Sequence, residues 1–220
     1  MANFNEIFDV WADNYDETVY SSDHEYKEVF ENYEGILEEI AKYIRDKRDG
    51  ITLEIGVGTG NLSKKLVENG HYVVGIEPSK KMRERAKSKL TKVVLLEGDF
   101  LNIPLYNKVD SIVASYAFHH LTLEEKRKAL KLMDSLLKDG GKIVIADTMF
   151  ISQSYKEKII KEVEELNAVN LLNDLNREYY ELIEDIVGLF KELNFFITLK
   201  QMNKFVWIIF AQKKEGGKDE

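Results

Sequence analysis

The residues best suited to chemistry begin with Leu53-Glu54-Ile55-Gly56-Val57-Gly58-Thr59-Gly60-Asn61-Leu62, an apolar run that turns through three glycines into an amphipathic segment. Glycine permits a tight turn and close backbone approach to a bound molecule, and the N–H groups at a helix start are ready donors. A nucleotide-like ligand fits such a loop. A dinucleotide fingerprint would put glycine where Asn61 stands, so the third glycine comes one residue early for a pyrophosphate turn. Glu54, just ahead of the loop, suits a site that faces a cation.

Two further carboxylates close the next apolar runs. Glu77 follows Ile76, and Pro78, Ser79 and Met82 come next in the opening turn of a helix. A carboxylate in that place can accept both hydroxyls of a ribose. Asp99, in Glu97-Gly98-Asp99-Phe100, can accept an exocyclic amine while Phe100 lies against a base. Singly, each acid is an ordinary solvated strand end. Three at successive strand ends mark the carboxyl edge at which open α/β sheets bind ligands. Ser115, Tyr116, His119 and Asp147 fall at the ends of later runs. His119, Asp147 and Tyr116 are candidates to take a proton from a substrate, with His120 behind them. The histidines equally suit a structural turn, because Thr122 with Glu125 reads as a capping box for the helix that follows.

The elements that must position these groups follow from periodicity. Apolar runs over 51–55, 72–76, 93–96, 110–114 and 142–146 alternate with helical patterns such as 123–137, which predicts βαβ units and an α/β three-layer sandwich around a mostly parallel sheet. Ahead of them, Ile7, Trp11 and Tyr15, and then Tyr26, Val29, Phe30, Tyr33, Leu37, Ile40 and Ile44, recur at helical spacing and predict two helices within 3–46. After Asp147 the pattern predicts helices over 154–175 and 181–193, then strands over 196–201 and 205–212. Only Met202, Asn203 and Lys204 separate those last strands, which suits an antiparallel hairpin and no crossover.

The 220 residues carry a formal charge of −8, so the long-range field repels phosphate backbones and nucleic acid is not the expected partner. There is no Cys, which removes disulfides, thiolate metal sites and sulfur nucleophiles, and no metal site is expected. No apolar stretch is long enough to span a bilayer, so the expected setting is cytoplasmic, away from the membrane.

Taken together, these segments resemble the class I, Rossmann-like S-adenosylmethionine-dependent methyltransferases and, more narrowly, the YrrT-type bacterial methyltransferases. The likeness rests on the glycine motif, Glu77, Asp99, Asp110 to Ser115, and Leu137-Lys138-Asp139-Gly140-Gly141-Lys142. It rests further on Trp11-Ala12, Tyr15-Asp16, Ser115-Tyr116-Ala117-Phe118-His119-His120-Leu121 and Phe205-Val206-Trp207. The resemblance implies a seven-stranded sheet in the order 3-2-1-4-5-7-6 with strand 7 antiparallel. It implies one methyltransferase domain: a helical lid (1–48), a cofactor-binding half (49–147), a helical cover (148–194), the hairpin (195–212) and a flexible tail (213–220). S-adenosylmethionine would be the cofactor, S-adenosylhomocysteine the product, and a small molecule the methyl acceptor, in a monomer or homodimer.

By the same resemblance Gly56, with its neighbours Glu54, Gly58 and Gly60, meets the methionine part, where Ser115 and Tyr15 also lie. Glu77, near Pro78 and Met82, takes the ribose, and Asp99 with Phe100 takes the adenine. Asn194-Phe195 departs from the Gly-Phe common in relatives, and Asn tolerates the left-handed cap this position requires. Three other readings compete. A non-catalytic sensor of S-adenosylmethionine or S-adenosylhomocysteine would keep the same loop. An NAD-dependent oxidoreductase is disfavoured by Asn61 and the closing hairpin. A protein or RNA methyltransferase is disfavoured by Ser115-Tyr116-Ala117-Phe118, where enzymes acting on planar amines carry an Asn-Pro-Pro-Tyr type of motif.

Overall fold

In the computed structural model, which describes residues 15–21 and 25–214, the apolar runs become β1 (Ile51–Ile55), β2 (Tyr72–Ile76), β3 (Val94–Leu96), β4 (Val109–Ser115), β5 (Leu137–Thr148), β6 (Phe195–Gln201) and β7 (Val206–Lys213). They form one sheet in the order β3-β2-β1-β4-β5-β7-β6. The first five pair in parallel, and β7 runs antiparallel to both β5 and β6. This is the implied order, and the short connection through Met202 to Phe205 is the hairpin.

Among the described residues the helices are α1 (Tyr15–Tyr20), α2 (Tyr33–Tyr43), α3 (Asn61–Glu68), α4 (Lys80–Lys89), α5 (Leu123–Leu136), α6 (Gln153–Glu165), α7 (Val169–Arg177) and α8 (Ile183–Glu192). Strand β4 explains why the sequence shows runs and not alternation. Val113 points into a core with Leu37 and Ile40 of α2, Leu66 of α3 and Ile159 of α6. Ile112 and Ala114 point into a second core with Leu130 and Met133 of α5 and Phe190 of α8. Both faces of the sheet are covered, so successive residues are all apolar. Each large aliphatic side chain fully buried in these layers contributes about 1.5–3 kcal/mol.

Three expectations about helices change. The helix expected from Tyr26 onward begins only at Tyr33, after turns over 25–32, because Asn32 takes a left-handed conformation (φ 59°). Tyr26 and Phe30 share the helical spacing but turn inward to line a cavity. The single helix expected over 154–175 is two, α6 and α7, broken where Asn167 is also left-handed (φ 54°). Asn often fills this capping role in place of Gly, so no glycine marks the break. Finally, Ser79 caps α4 by accepting from Met82 N–H at 3.2 Å, which leaves Pro78 outside the helix. Asn194 does adopt the left-handed cap (φ 60°). Ile7, Trp11 and residues 215–220 of the tail lie outside the described residues. No helix of the described residues is long and apolar enough to cross a membrane.

Strand order reverses between β1 and β4, and the crevice at their carboxyl ends is where such a sheet takes a ligand.

Candidate functional site

A cavity of about 570 Å³ opens at that edge, within the range of small-molecule sites. Its floor is the glycine loop. Gly56 (φ 78°) packs so close to the next loop that a Cβ would stand 2.6 Å from that of Ala117, and Gly58 (φ 55°) meets no protein atom within 4 Å of its own added Cβ. Gly60 (φ 93°) has a different job: its missing Cβ makes room for Leu90 and Ala86 of α4. Gly56 and Gly58 line the cavity, and Gly60 stands behind the wall.

The loop binds itself to β2. Gly56 and Val57 N–H donate to Ile76 O at 2.8 and 3.2 Å, Gly60 N–H to Val57 O at 3.0 Å, and Gly58 N–H to Glu77 Oε2 at 2.9 Å. These four amides, which precede the helix start at Asn61, hold the turn. What the loop offers is a close, side-chain-free surface and not the cluster of unpaired amides that cradles a pyrophosphate.

Glu77 is 5% exposed and accepts from Ser79 N–H at 2.8 Å through its other oxygen. Held from both oxygens in this way, the carboxylate lines the cavity beside the glycine loop. Asp99 Oδ1 accepts from Leu101 and Asn102 N–H at 2.7 and 2.9 Å, which fixes its side chain at the cavity rim. Phe100 is buried against the edge of Phe118, with centroids 5.3 Å apart. Pro78, Met82 and Ser115 also line the wall.

Glu54 stands apart from this set. It is buried in β1, accepts a 2.5 Å hydrogen bond from Ser63 Oγ, and is not part of the cavity lining. Burial, above all, pushes its carboxyl up to about 8, with the nearby Glu77 charge adding to the effect. It is therefore largely protonated at neutral pH, and the expectation that it faces a cation gives way to a buried neutral acid tying β1 to α3. Because its pKa is raised on folding, its stabilising contribution is complete below the unfolded value near 4.5 and declines as pH rises toward 8. Glu54→Gln, which keeps an acceptor for Ser63, is expected to melt higher than the parent at pH 8, by a margin that vanishes toward pH 4.5. Equal melting curves across that range would refute a neutral Glu54.

A lid closes the cavity from above. Tyr15 of α1 lines it and meets Phe30 edge-on at 6.4 Å. Beside it, Asp16 Oδ1 accepts from Thr59 Oγ1 at 2.6 Å and Asn61 Nδ2 at 3.2 Å, while Oδ2 pairs with Lys89. The lid is thus latched directly to the glycine loop. Sequence reasoning noticed the Tyr15-Asp16 pair and gave Asp16 no role.

The far end of the cavity is made by the loop after β4 and by α7. Tyr116 sits there in a left-handed conformation (φ 52°), and its hydroxyl donates to Val29 O at 3.3 Å. Burial holds its phenol well above the ordinary value, so it pins the lid segment and takes no proton at neutral pH. His119 lines the cavity with Nδ1 2.7 Å from Asp147 Oδ1, and its backbone N–H donates to Asp147 Oδ2 at 2.9 Å. Asp147 itself is 2% exposed and lies behind His119, off the cavity wall. Burial opposes its charge, but His119 and the N–H groups of Thr148 and His119 outweigh burial and hold it below the usual carboxylate range.

Tyr26, Asp174 and Glu178 are among the lining residues to which sequence reasoning assigned no site role, whereas Tyr180 was expected in the helical cover that selects the acceptor. Tyr26 donates to Asp174 at 2.5 Å, and Glu178 lies 3.0 Å from His120 Nδ1, with Tyr180 closing the wall. Asp174 and Glu178 are four apart in sequence at the end of α7, and an acidic pair on the inner side of an amphipathic helix is the signal that could have found them. The Thr122 capping box is present, with Glu125 N–H donating to Thr122 Oγ1 at 3.3 Å.

The model of a family described as a methyltransferase domain matches residues 53–145, from β1 into β5. A protein of Alkaliphilus oremlandii described as an uncharacterized methyltransferase is 56% identical over 97% of this chain and 99% of its own. A second, from a Geobacillus species, is 49% identical over 94% and 97%. Among solved structures, the magnesium protoporphyrin IX methyltransferase of Synechocystis with bound SAH covers 96% of this chain and 98% of that one. Its TM-score is 0.75 at 16% identity, a likeness of fold.

Proposed function

The chain belongs to the methyltransferases and depends on S-adenosylmethionine, and from that premise we propose that it methylates a small molecule bound at the far end of the cavity, in the cytoplasm. The observation that carries this is one continuous cavity, about 570 Å³, lined from Glu77 and Asp99 past Gly56 to His119 and Tyr180. It has room for a cofactor at one end and a compact acceptor at the other. A polymer would need an open, basic surface, and the formal charge of −8 disfavours nucleic acid.

The residues fit the cofactor. Glu77 lines the wall where a carboxylate can accept from a ribose, Asp99 can accept from an exocyclic amine, and Phe100 offers a ring beside it. Gly56, Gly58, Ser115 and Tyr15 line the stretch suited to the methionine part, with Pro78 and Met82 beside the ribose. The cofactor supplies a methyl group already activated by its sulfonium charge. The carboxylates of Glu77, Asp99 and Asp174 around the cavity favour that cation over a diphosphate. What remains for the protein is alignment and exclusion of water.

The Asp16 latch keeps the lid closed over the cofactor, so Asp16→Ala is expected to speed cofactor release. Hydrogen bonds to a charged group contribute about 1.5–3 kcal/mol each, less where solvent screens them, so affinity should fall roughly tenfold. Stopped-flow release of cofactor tests this, and an unchanged off-rate would remove the lid from the account. The proposal as a whole is tested by incubating the protein with S-adenosylmethionine and pooled small metabolites. Methyl transfer into the low-mass fraction supports it, and transfer only into protein or RNA refutes it.

A further inference from the structure

We propose that His119 is the general base of the transfer, held as such by Asp147, and that the acceptor is a protic nucleophile, a thiol, hydroxyl or amine that must lose a proton. The inference rests on the methyltransferase reading above.

Asp147 is ionised and can only accept, so the 2.7 Å contact fixes the proton of His119 on Nδ1. In the neutral ring Nε2 is then the unprotonated nitrogen, the one not held by Asp147, on a residue that lines the cavity. This is the form a base needs. The ring cannot easily turn over. It stacks on Tyr180 with centroids 4.9 Å apart, and its backbone O accepts from Tyr179 N–H at 3.0 Å. Lys126, nearly fully buried, donates to Leu121 O and to Tyr179 O, clamping the two segments that hold His119.

A turn that needed only a cap would use Asp147 for the His119 backbone N–H; the second oxygen on Nδ1 orients a ring. Besides Asp147, the titratable groups facing His119 include His120, Tyr180, Asp174 and Glu178. Glu178 pairs with His120, whose burial keeps that ring neutral. Asp147 is thus the carboxylate in direct contact with the His119 ring.

In the step, the acceptor heteroatom forms a bond to the methyl carbon and the carbon–sulfonium bond breaks, its electron pair passing to sulfur. The proton of the acceptor goes to His119 Nε2 and later to water. His119 is catalytic in this scheme, and Asp147 is a positioning residue.

The test has two arms and begins with titration of S-adenosylmethionine into wild type and His119→Gln, which should bind alike. Failure of wild type to bind would overturn the methyltransferase reading itself. In the first arm, ring-nitrogen resonances of isotope-labelled histidine are recorded in the S-adenosylhomocysteine complex. The neutral His119 ring should carry its proton on Nδ1, and Asp147→Asn should mix the two tautomers. A proton on Nε2 in wild type overturns the inference whatever the kinetics. In the second arm, thiophenol, catechol and benzylamine are offered as protic acceptors and pyridine as one with no proton to lose. His119→Gln should lower kcat on any protic probe that turns over by about 10²–10⁴-fold, with little change in KM or with pyridine. Equal kcat in wild type and His119→Gln overturns the inference; if no probe reacts, the tautomer decides it.

Discussion

Glu77→Ala is expected to weaken S-adenosylmethionine binding by at least about a hundredfold while the protein still folds. The carboxylate is buried at the cavity wall, already oriented by Gly58 and Ser79 N–H. Two hydroxyls of a ribose would add two hydrogen bonds to a charged acceptor, about 1.5–3 kcal/mol each, and tenfold in affinity is about 1.4 kcal/mol. Glu77→Gln keeps one acceptor oxygen and should fall between wild type and alanine. The loss of the tie to Gly58 will also loosen the loop, so melting temperature should drop by a few degrees. Calorimetric titration separates the two effects. Alanine binding within threefold of wild type would take the ribose away from Glu77.

Gly56→Ala is the second large effect, and it acts through shape. The position has φ 78°, and the new Cβ would stand 2.6 Å from the Cβ of Ala117, a distance that forces one loop to move. A left-handed conformation costs a residue with Cβ about 1–2 kcal/mol and overpacking about 1–3 kcal/mol. Together, about 3 kcal/mol lowers the melting temperature of a chain this size by roughly 6–12 °C. The displaced segment leads from Tyr116 to His119, so cofactor binding should fall below detection. Gly70→Ala provides the control. Its φ of 87° brings the same strain, but its Cβ would meet only Arg48 Cδ at 4.0 Å. It should lose stability modestly and bind normally. Normal binding by Gly56→Ala would mean that the loop yields without cost and that its glycine is not there for the site.

The parts of this site legible in the sequence are those set by local chemistry. Gly56 and Gly58 announce a turn, Glu77 follows an apolar run directly and Asp99 stands three residues past the next one, and Met202 to Lys204 leave too little chain for a crossover. Thr122 and Glu125 name a cap by themselves. What escaped detection depends on residues far apart. Glu54 reads as a site acid until Ser63, one helix later, is seen to bury it. Asp16 has no evident role until Thr59 and Lys89 close on it. Asp174 and Glu178 sit in a helix of ordinary amphipathic pattern, and only the packing of α7 over the β4 loop turns them inward. Asn32 and Asn167 broke helices because left-handed Asn costs little and the apolar spacing runs on through both.

The measurement that bears most directly on the central claim is titration of the purified chain with S-adenosylmethionine and, separately, with NADH. Saturable binding of S-adenosylmethionine in the micromolar range, absent in Gly56→Ala and much weakened in Glu77→Ala, is the predicted result; binding of NADH alone, or of neither, would contradict it.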